Sequence, residues 1–290
     1  MAPGASPASA HTFLVATDLD RTLIYSMAAI ESANANEDVG PLACVEWLDG
    51  QELSFMTQAA ARSIETISGI ANLLPITTRT PAQFGRVLIP GGPTKYAITS
   101  NGGHILVDGA PDLAWRSMVL DGIADGGVSL ADVLAGLAQQ ANDSWVLKRK
   151  VADELFCYLV VDLDRLPQDF LTSWTHWCAE RGWVVSIQGR KIYALPCSLT
   201  KEAALAEVGR RVGAECLLAA GDGALDAGFL AMADAAIRPP HGELAELGWR
   251  APNLSIALAR GVLAGQEISH WLLDQVVGEP GGTSTTLQMS

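Results

Sequence analysis

The apolar run Phe13 to Ala16 leads into Asp18-Leu19-Asp20, the pattern of a buried strand whose end carries two carboxylates. Val45 to Phe55 reads as a hairpin turning at Asp49-Gly50, and Met56 to Ile70 places its apolar residues at helical spacing. Leu73 to Thr77 predicts a second strand. Pro81 to Leu88 predicts a short helix with proline in its first turn, and Tyr96 to Ser100 a third strand closed by Asn101-Gly102-Gly103. Strands alternating with helices imply a doubly wound parallel α/β sheet, whose binding crevice lies at the carboxyl ends of the strands. Asp18-Leu19-Asp20 and Thr77-Thr78-Arg79 both fall at such ends.

From His104 the pattern changes. His104 to Val107, Trp145 to Val151, Leu155 to Leu163, Trp183 to Ile187 and Ile192 to Leu195 read as strands, interrupted by helices at Ser129 to Gln140 and Pro167 to Arg181. The first alternation then returns, with a helix from Lys201 to Val212, a strand Cys216 to Ala220 ending at Gly221-Asp222, and helices near Leu225 to Ala233 and Ile268 to Val277. The expected organisation is a discontinuous core over 11–103 and 197–277, an inserted α+β cap over 104–196, and flexible termini at 1–10 and 278–290.

Composition narrows the partners. With 49% hydrophobic and 18% charged residues over 290 positions, the chain has the make-up of a globular protein. A net charge of -13 opposes nucleic acid as a partner. Screening confines that repulsion to roughly 8 Å, so a site for a small anion must carry its own cations. Five scattered cysteines without a CxxC pair fit a reducing compartment, and no segment is apolar for long enough to span a bilayer. A soluble, cytoplasmic protein is expected.

Residues two apart on a strand share a face, so Asp18 and Asp20 can address one ligand in different roles. One carboxylate can attack phosphorus while the other protonates a leaving oxygen and later activates water. Lys201 sits in the first turn of a helix capped by Thr200 or Ser198, where the dipole disfavours a cation by about 0.3 to 1 kcal/mol. A neighbouring anion reverses that balance. Asp222 and Asp226 suit either a metal or the local preferences of a turn and a first helical turn. The basic run Lys148-Arg149-Lys150 either reads a substrate across the cleft or lines a solvated strand edge. Trp145, Trp174, Trp177 and Trp183 read as cap core. A second Asp-Leu-Asp-Arg string at Asp162 to Arg165 lacks the following threonine, and its aspartates read as strand-end and capping residues.

Taken in order, Asp18-Leu19-Asp20-Arg21-Thr22, Thr77, Lys201 and Gly221-Asp222-Gly223-Ala224-Leu225-Asp226 resemble the four motifs of the haloacid-dehalogenase-like (HAD) hydrolases. The long insertion between the second and third motifs resembles the sugar-phosphatase branch. The resemblance implies a phosphatase for a small phosphomonoester, a sugar phosphate by preference, acting through an aspartyl-phosphate. It makes Asp18 the nucleophile, Asp20 the general acid/base, Thr77 a phosphate ligand and Lys201 the bridging cation. Mg2+ is the implied cofactor, held by Asp18, the carbonyl of Asp20, Asp222 and, directly or through a second shell, Asp226. Thr77, Thr78, Asn101, Lys148, Arg149 and Lys150 are the expected substrate contacts. A phosphomutase or a non-catalytic binder of phosphorylated ligands shares the same motifs. Arg21 departs from the motif, standing where glycine is usual, either crowding the turn or adding a charge at the cleft mouth.

Overall fold

The structure is a computed structural model and describes residues 12–278, so the expectation of flexible termini lies, Gly278 apart, outside the described residues. The chain begins with strand β1 (Phe13–Thr17), helix α1 (Met27–Ala33), the hairpin β2 (Leu42–Leu48) and β3 (Gln51–Thr57), helix α2 (Gln58–Ile70) and β4 (Asn72–Pro75). A short α3 (Pro81–Phe84) precedes β5 (Tyr96–Thr99), β6 (His104–Val107), β7 (Ala110–Pro111) and α4 (Leu113–Asp125). Next come α5 (Leu130–Gln140), β8 (Val146–Ala152), β9 (Phe156–Val161), α6 (Gln168–Ala179), β10 (Trp183–Gln188) and β11 (Lys191–Pro196). The last stretch holds α7 (Lys201–Val212), β12 (Cys216–Ala220), α8 (Ala227–Met232), β13 (Ala235–Arg238), α9 (Glu243–Glu246), β14 (Leu254–Ile256) and α10 (Gly261–Val277).

The central sheet runs β14-β13-β12-β1-β4, with every pair parallel. Its strands are apolar on both faces because both are covered. Val15, Leu218 and Ile237 pack with Ile64 and Ile67 of α2 and Ile268 and Leu272 of α10. Leu14, Ala16 and Ala219 pack on the other side with Leu205 and Val208 of α7 and Phe229 and Leu230 of α8. This is the doubly wound α/β layer arrangement. Past β4, the Thr77 amide donates to the Ile98 carbonyl at 2.9 Å and carries the antiparallel trio β5-β6-β7. Ile105 of β6 and Trp115 of α4 join the α7 side of the core. The strand His104–Val107, assigned by sequence to the insertion, thus pairs with β5 beside the central sheet.

The inserted unit is two helix-hairpin repeats, α5-β8-β9 and α6-β10-β11, that merge into an antiparallel sheet of order β10-β11-β9-β8. Both helices cover one face. Cys157, Leu159, Ile192, Ala194 and Trp183 meet Val133 and Leu137 of α5 and Phe170 and Trp174 of α6 there, with the Trp145 ring tilted against Phe170 at a centroid distance of 4.5 Å. All four tryptophans named from sequence belong to or pack on this cluster. The chain crosses between units twice, near Gly126–Val128 and Pro196–Leu199. The crossings are stitched side by side through one loop: Val128 N donates to Arg181 O at 3.2 Å, and Cys197 N to Gly182 O at 2.9 Å.

The other face of this sheet turns toward the carboxyl ends of the central sheet. Opposed residues on paired strands share a face, so Lys150, Tyr158, Tyr193 and Ser186 form one row and Lys148, Val160, Lys191 and Gln188 the next. The Tyr193 and Thr78 hydroxyls are hydrogen-bonded, Ser186 donates to Glu243 at 2.7 Å, and Gln188 lies against Gly223.

Candidate active site

Four segments converge where the central strands end. Parallel pairing sets Thr17 beside Ala220, and Asp18 continues the register by donating its amide to the Ala220 carbonyl at 2.8 Å. That pairing brings the first and fourth motifs together. Thr200 caps α7 by accepting from the Ala203 amide, which aims Lys201 inward from the first turn. Lys201 is fully buried, with its Nζ 2.7 Å from Asp18 Oδ1 and 2.6 Å from Asp226 Oδ1. The dipole cost expected at this position is offset by two anions. Burial disfavours the ammonium, yet Asp18 and Asp226 outweigh it and raise the pKa of Lys201.

Asp18, Asp222 and Asp226 each place a carboxylate oxygen within 4.8 Å of the others. Burial, the largest influence, pushes the Asp18 carboxyl up to about 7 against the pull of Lys201, and Asp226 adds to the rise. Asp222 is driven well above its ordinary value by burial, then by Asp18 and Asp226. Three carboxylates around one ammonium leave an excess of negative charge in a buried, all-oxygen setting, which suits a hard divalent cation. The three differ in availability. Asp226 is satisfied by Lys201 and by the amides of Asp222 and Gly223, at 3.0 and 2.8 Å, whereas Asp222 has only Thr22 at 3.5 Å and Arg21 at 3.9 Å. Among the described residues Asp18 and Asp222 thus keep carboxylate oxygens that could hold a cation, while Asp226 is occupied by Lys201 and the two loop amides.

Asp20 points the other way from Asp18, into a two-pronged hydrogen bond from Arg79 at 2.8 Å on each oxygen. Burial works against its carboxylate, but Arg79 prevails and holds Asp20 below its ordinary pKa. Arg79 is itself seated 2.9 Å from Glu46, a buried residue of the β2–β3 hairpin that also accepts from Ser54 and Arg86. Thr77 is buried, and its Oγ1 accepts from the Arg79 amide at 3.1 Å.

The remaining expected contacts divide. Asn101 donates its side-chain amide to the Leu199 carbonyl at 2.8 Å, which braces the loop before Lys201, and its Oδ1 is buried without a partner among the described residues. Arg149 lies on the helix-covered face, paired with Asp143 and donating to Ala141 O, because it alternates with its neighbours along β8. Lys148 and Lys150 share the face turned to the core. At the second Asp-Leu-Asp-Arg string, Asp162 accepts from the Asp164 amide at 3.1 Å in a turn after β9, while α6 starts without a side-chain cap. Arg21 adopts φ 65, the left-handed conformation in which glycine is free, and directs its guanidinium to Asp222 and toward the β10–β11 turn at Gly189.

Sequence reasoning missed Glu46, Lys191, Tyr193 and Glu243. Lys191 and Tyr193 carried one signal, two polar side chains spaced by two on an otherwise apolar strand. Glu46 and Glu243 carried none, since their partners lie tens of residues away.

No family model and no curated protein matches the chain. Solved structures do match, and they share this fold, a parallel α/β core with an inserted α+β cap. Sucrose-phosphatase from Synechocystis sp. PCC6803, solved with sucrose and phosphate, superposes over 90% of this chain and 98% of its own with TM-score 0.59 and 16% identity. A HAD subclass IIB sugar phosphatase covers 90% of this chain and 100% of its own, at TM-score 0.53 and 11% identity. The C-terminal domain of C. albicans trehalose-6-phosphate phosphatase matches 91% of this chain and 93% of its own, at TM-score 0.52 and 10% identity. The likeness is one of fold, and it extends over about nine-tenths of the chain.

Proposed function

We propose that the chain is a HAD-family phosphatase that hydrolyses a small phosphomonoester, a sugar phosphate by class, in a Mg2+-dependent reaction at Asp18. The observation that carries this reading is the contact of buried Lys201 with both Asp18 and Asp226, with Asp222 beside them and two ligand-ready carboxylates left over. Asp18 and Asp222 would hold the ion, and its charge would neutralise the oxygens of the transferring group. Lys201 draws the Asp18 pKa down against its burial and meets the same oxygens, while Thr77 supplies a hydroxyl to the phosphate. An Asp18 oxygen attacks phosphorus, and the phosphorus–oxygen bond to the leaving group breaks. Arg79 holds Asp20 as a carboxylate before substrate arrives. A phosphate dianion at its side raises its proton affinity, which prepares it to protonate the leaving oxygen; it then takes a proton from the water that opens the phosphoaspartate. The closed cap keeps bulk water from this intermediate.

The test is phosphate release from a panel of sugar phosphates with Mg2+ or EDTA, in wild type and Asp18→Asn. Release that requires Mg2+ and disappears in Asp18→Asn is expected. Wild-type turnover in Asp18→Asn removes the nucleophile assignment, and isomerised substrate without free phosphate identifies a mutase.

A further inference from the structure

The cleft holds more positive charge than phosphoryl transfer uses. Lys201 is spent on Asp18 and Asp226, and Arg79 on Asp20 and Glu46. Two further cations approach the same space from opposite sides. From the core, Arg21 reaches past Asp222 toward Gly189, 39% exposed and making only a loose 3.9 Å ion pair. From the cap, Lys191 stands over the Tyr158 ring, 5.9 Å from its centroid, beside Tyr193 and near enough to Asp20 for each to favour the other's charged form. Lys148 extends the same row two strands further out, about 10 Å away by strand spacing. Among the described residues neither Lys191 nor Lys148 has a carboxylate within 4.0 Å. In a chain of net charge -13, unpaired lysines gathered on the one cap face that meets the site are selective placement.

The neighbours Tyr158, Tyr193 and Gln188 add hydrogen-bonding groups and an aromatic wall beside that charge. The leaving group occupies this side of the cleft, since Asp20, the residue that protonates its oxygen, faces Lys191.

We infer that the substrate is a phosphorylated sugar or polyol whose leaving group carries a second anionic group, a carboxylate or another phosphate, held between Lys191 of the cap and Arg21 of the core. The inference rests on the phosphatase reading for the position of the leaving group. Arg21 is kept in a left-handed backbone conformation where glycine is free, and the cation it delivers is the return for that strain. Bridging two units through one anion also ties substrate selection to cap closure.

The experiment compares gluconate 6-phosphate and fructose 1,6-bisphosphate with glucose 6-phosphate and fructose 6-phosphate, whose leaving groups carry no charge. kcat/KM is measured with Mg2+, and binding by calorimetry in the Asp18→Asn protein. A charge-assisted contact gives roughly tenfold or greater preference for the charged member of a pair. Lys191→Gln and Arg21→Gly are each expected to collapse that ratio toward one, and the ratio is independent of how much variant protein folds. Preference in the gluconate pair alone identifies a carboxylate, and in the fructose pair alone a second phosphate. Turnover with no preference in either pair overturns the inference and leaves the phosphatase reading intact, as does a preference that both variants keep. Simple steering of anions into the cleft gives that last result, because it favours the more highly charged member of each pair without depending on either side chain in particular. Calorimetric preference without turnover of any compound, p-nitrophenyl phosphate included, sinks the phosphatase reading and keeps only the second-anion site between Lys191 and Arg21.

Discussion

At the scale of single residues, the site is under electrostatic tension that a bound cation relieves. The Asp18 pKa is raised to about 7 and that of Asp222 well above its ordinary value, so the folded protein holds protons that the unfolded chain has released. Stability contributed by these groups is present below the unfolded carboxylate pKa near 4 and is lost as pH rises toward 7. Metal-free protein is expected to melt at lower temperature at pH 7.5 than at pH 5.5, with Mg2+ raising the midpoint mainly at the higher pH. At a hundredfold excess over its dissociation constant that rise is about 4 to 5 °C, and an equal shift at both pH values would contradict the charge account. Asp222→Asn removes repulsion without breaking a close hydrogen bond. It is expected to raise the metal-free melting temperature while abolishing turnover and the Mg2+ shift. Arg21→Gly relaxes a left-handed residue, and scanning calorimetry should show a gain of about 1 kcal/mol. The carboxylates, Thr77 and Lys201 were legible in the sequence because each sits at a recognisable strand or helix end. The conformation of Arg21 was not, since nothing local distinguishes a strained arginine from a relaxed one.

At the scale of elements, the β2–β3 hairpin does more than cover the sheet. Glu46 inserts a buried carboxylate between Arg79 and Arg86, and so fixes the guanidinium that grips Asp20. Glu46→Ala leaves Arg79 without its anchor and is expected to cost about 3 to 5 kcal/mol in denaturant unfolding. It should lower kcat more than it raises KM, with Glu46→Gln partly restoring both. An unchanged kcat would mean that the hairpin merely shields the sheet. The hairpin itself was plain in the sequence, as Asp49-Gly50 between alternating residues requires: both turn residues take positive φ, 52 and 78. Helices α1 and α4 and the short strands β13 and β14 were not read, because runs such as Ala235–Arg238 are too short to show a period. The beginning of α10 was missed for a packing reason. Gly265 lies where an added Cβ would sit 3.0 Å from the Thr22 carbonyl, so close approach to the first motif selects a residue that weakens the helical signal.

At the scale of the molecule, two units were legible from the change in strand spacing, but the line between them was not. Periodicity reports that His104–Val107 is a strand and is silent on its neighbour; pairing with β5 decides that. The cap touches the core at separated points: Asp153 of the β8–β9 turn meets Ser100 and His104, and Glu243 accepts from Ser186, Ile187 and the Ala224 amide of the fourth motif. Glu243 thereby links the cap to the loop that carries Asp222. Glu243→Ala should raise KM several-fold and speed hydrogen exchange at Ser186 to Gln188, with exchange in the central sheet unaltered; protection unchanged at those amides would remove the link. The paired crossings at Val128 and Cys197 have a mechanical outcome. Two strands of chain running abreast make a door hinge, which permits swing about one line and resists twist about the others. Whatever enters must pass the edge opposite that line, on the side of the β10–β11 turn at Gly189, since the Asp153 turn lies at the same end of the cap sheet as Pro196.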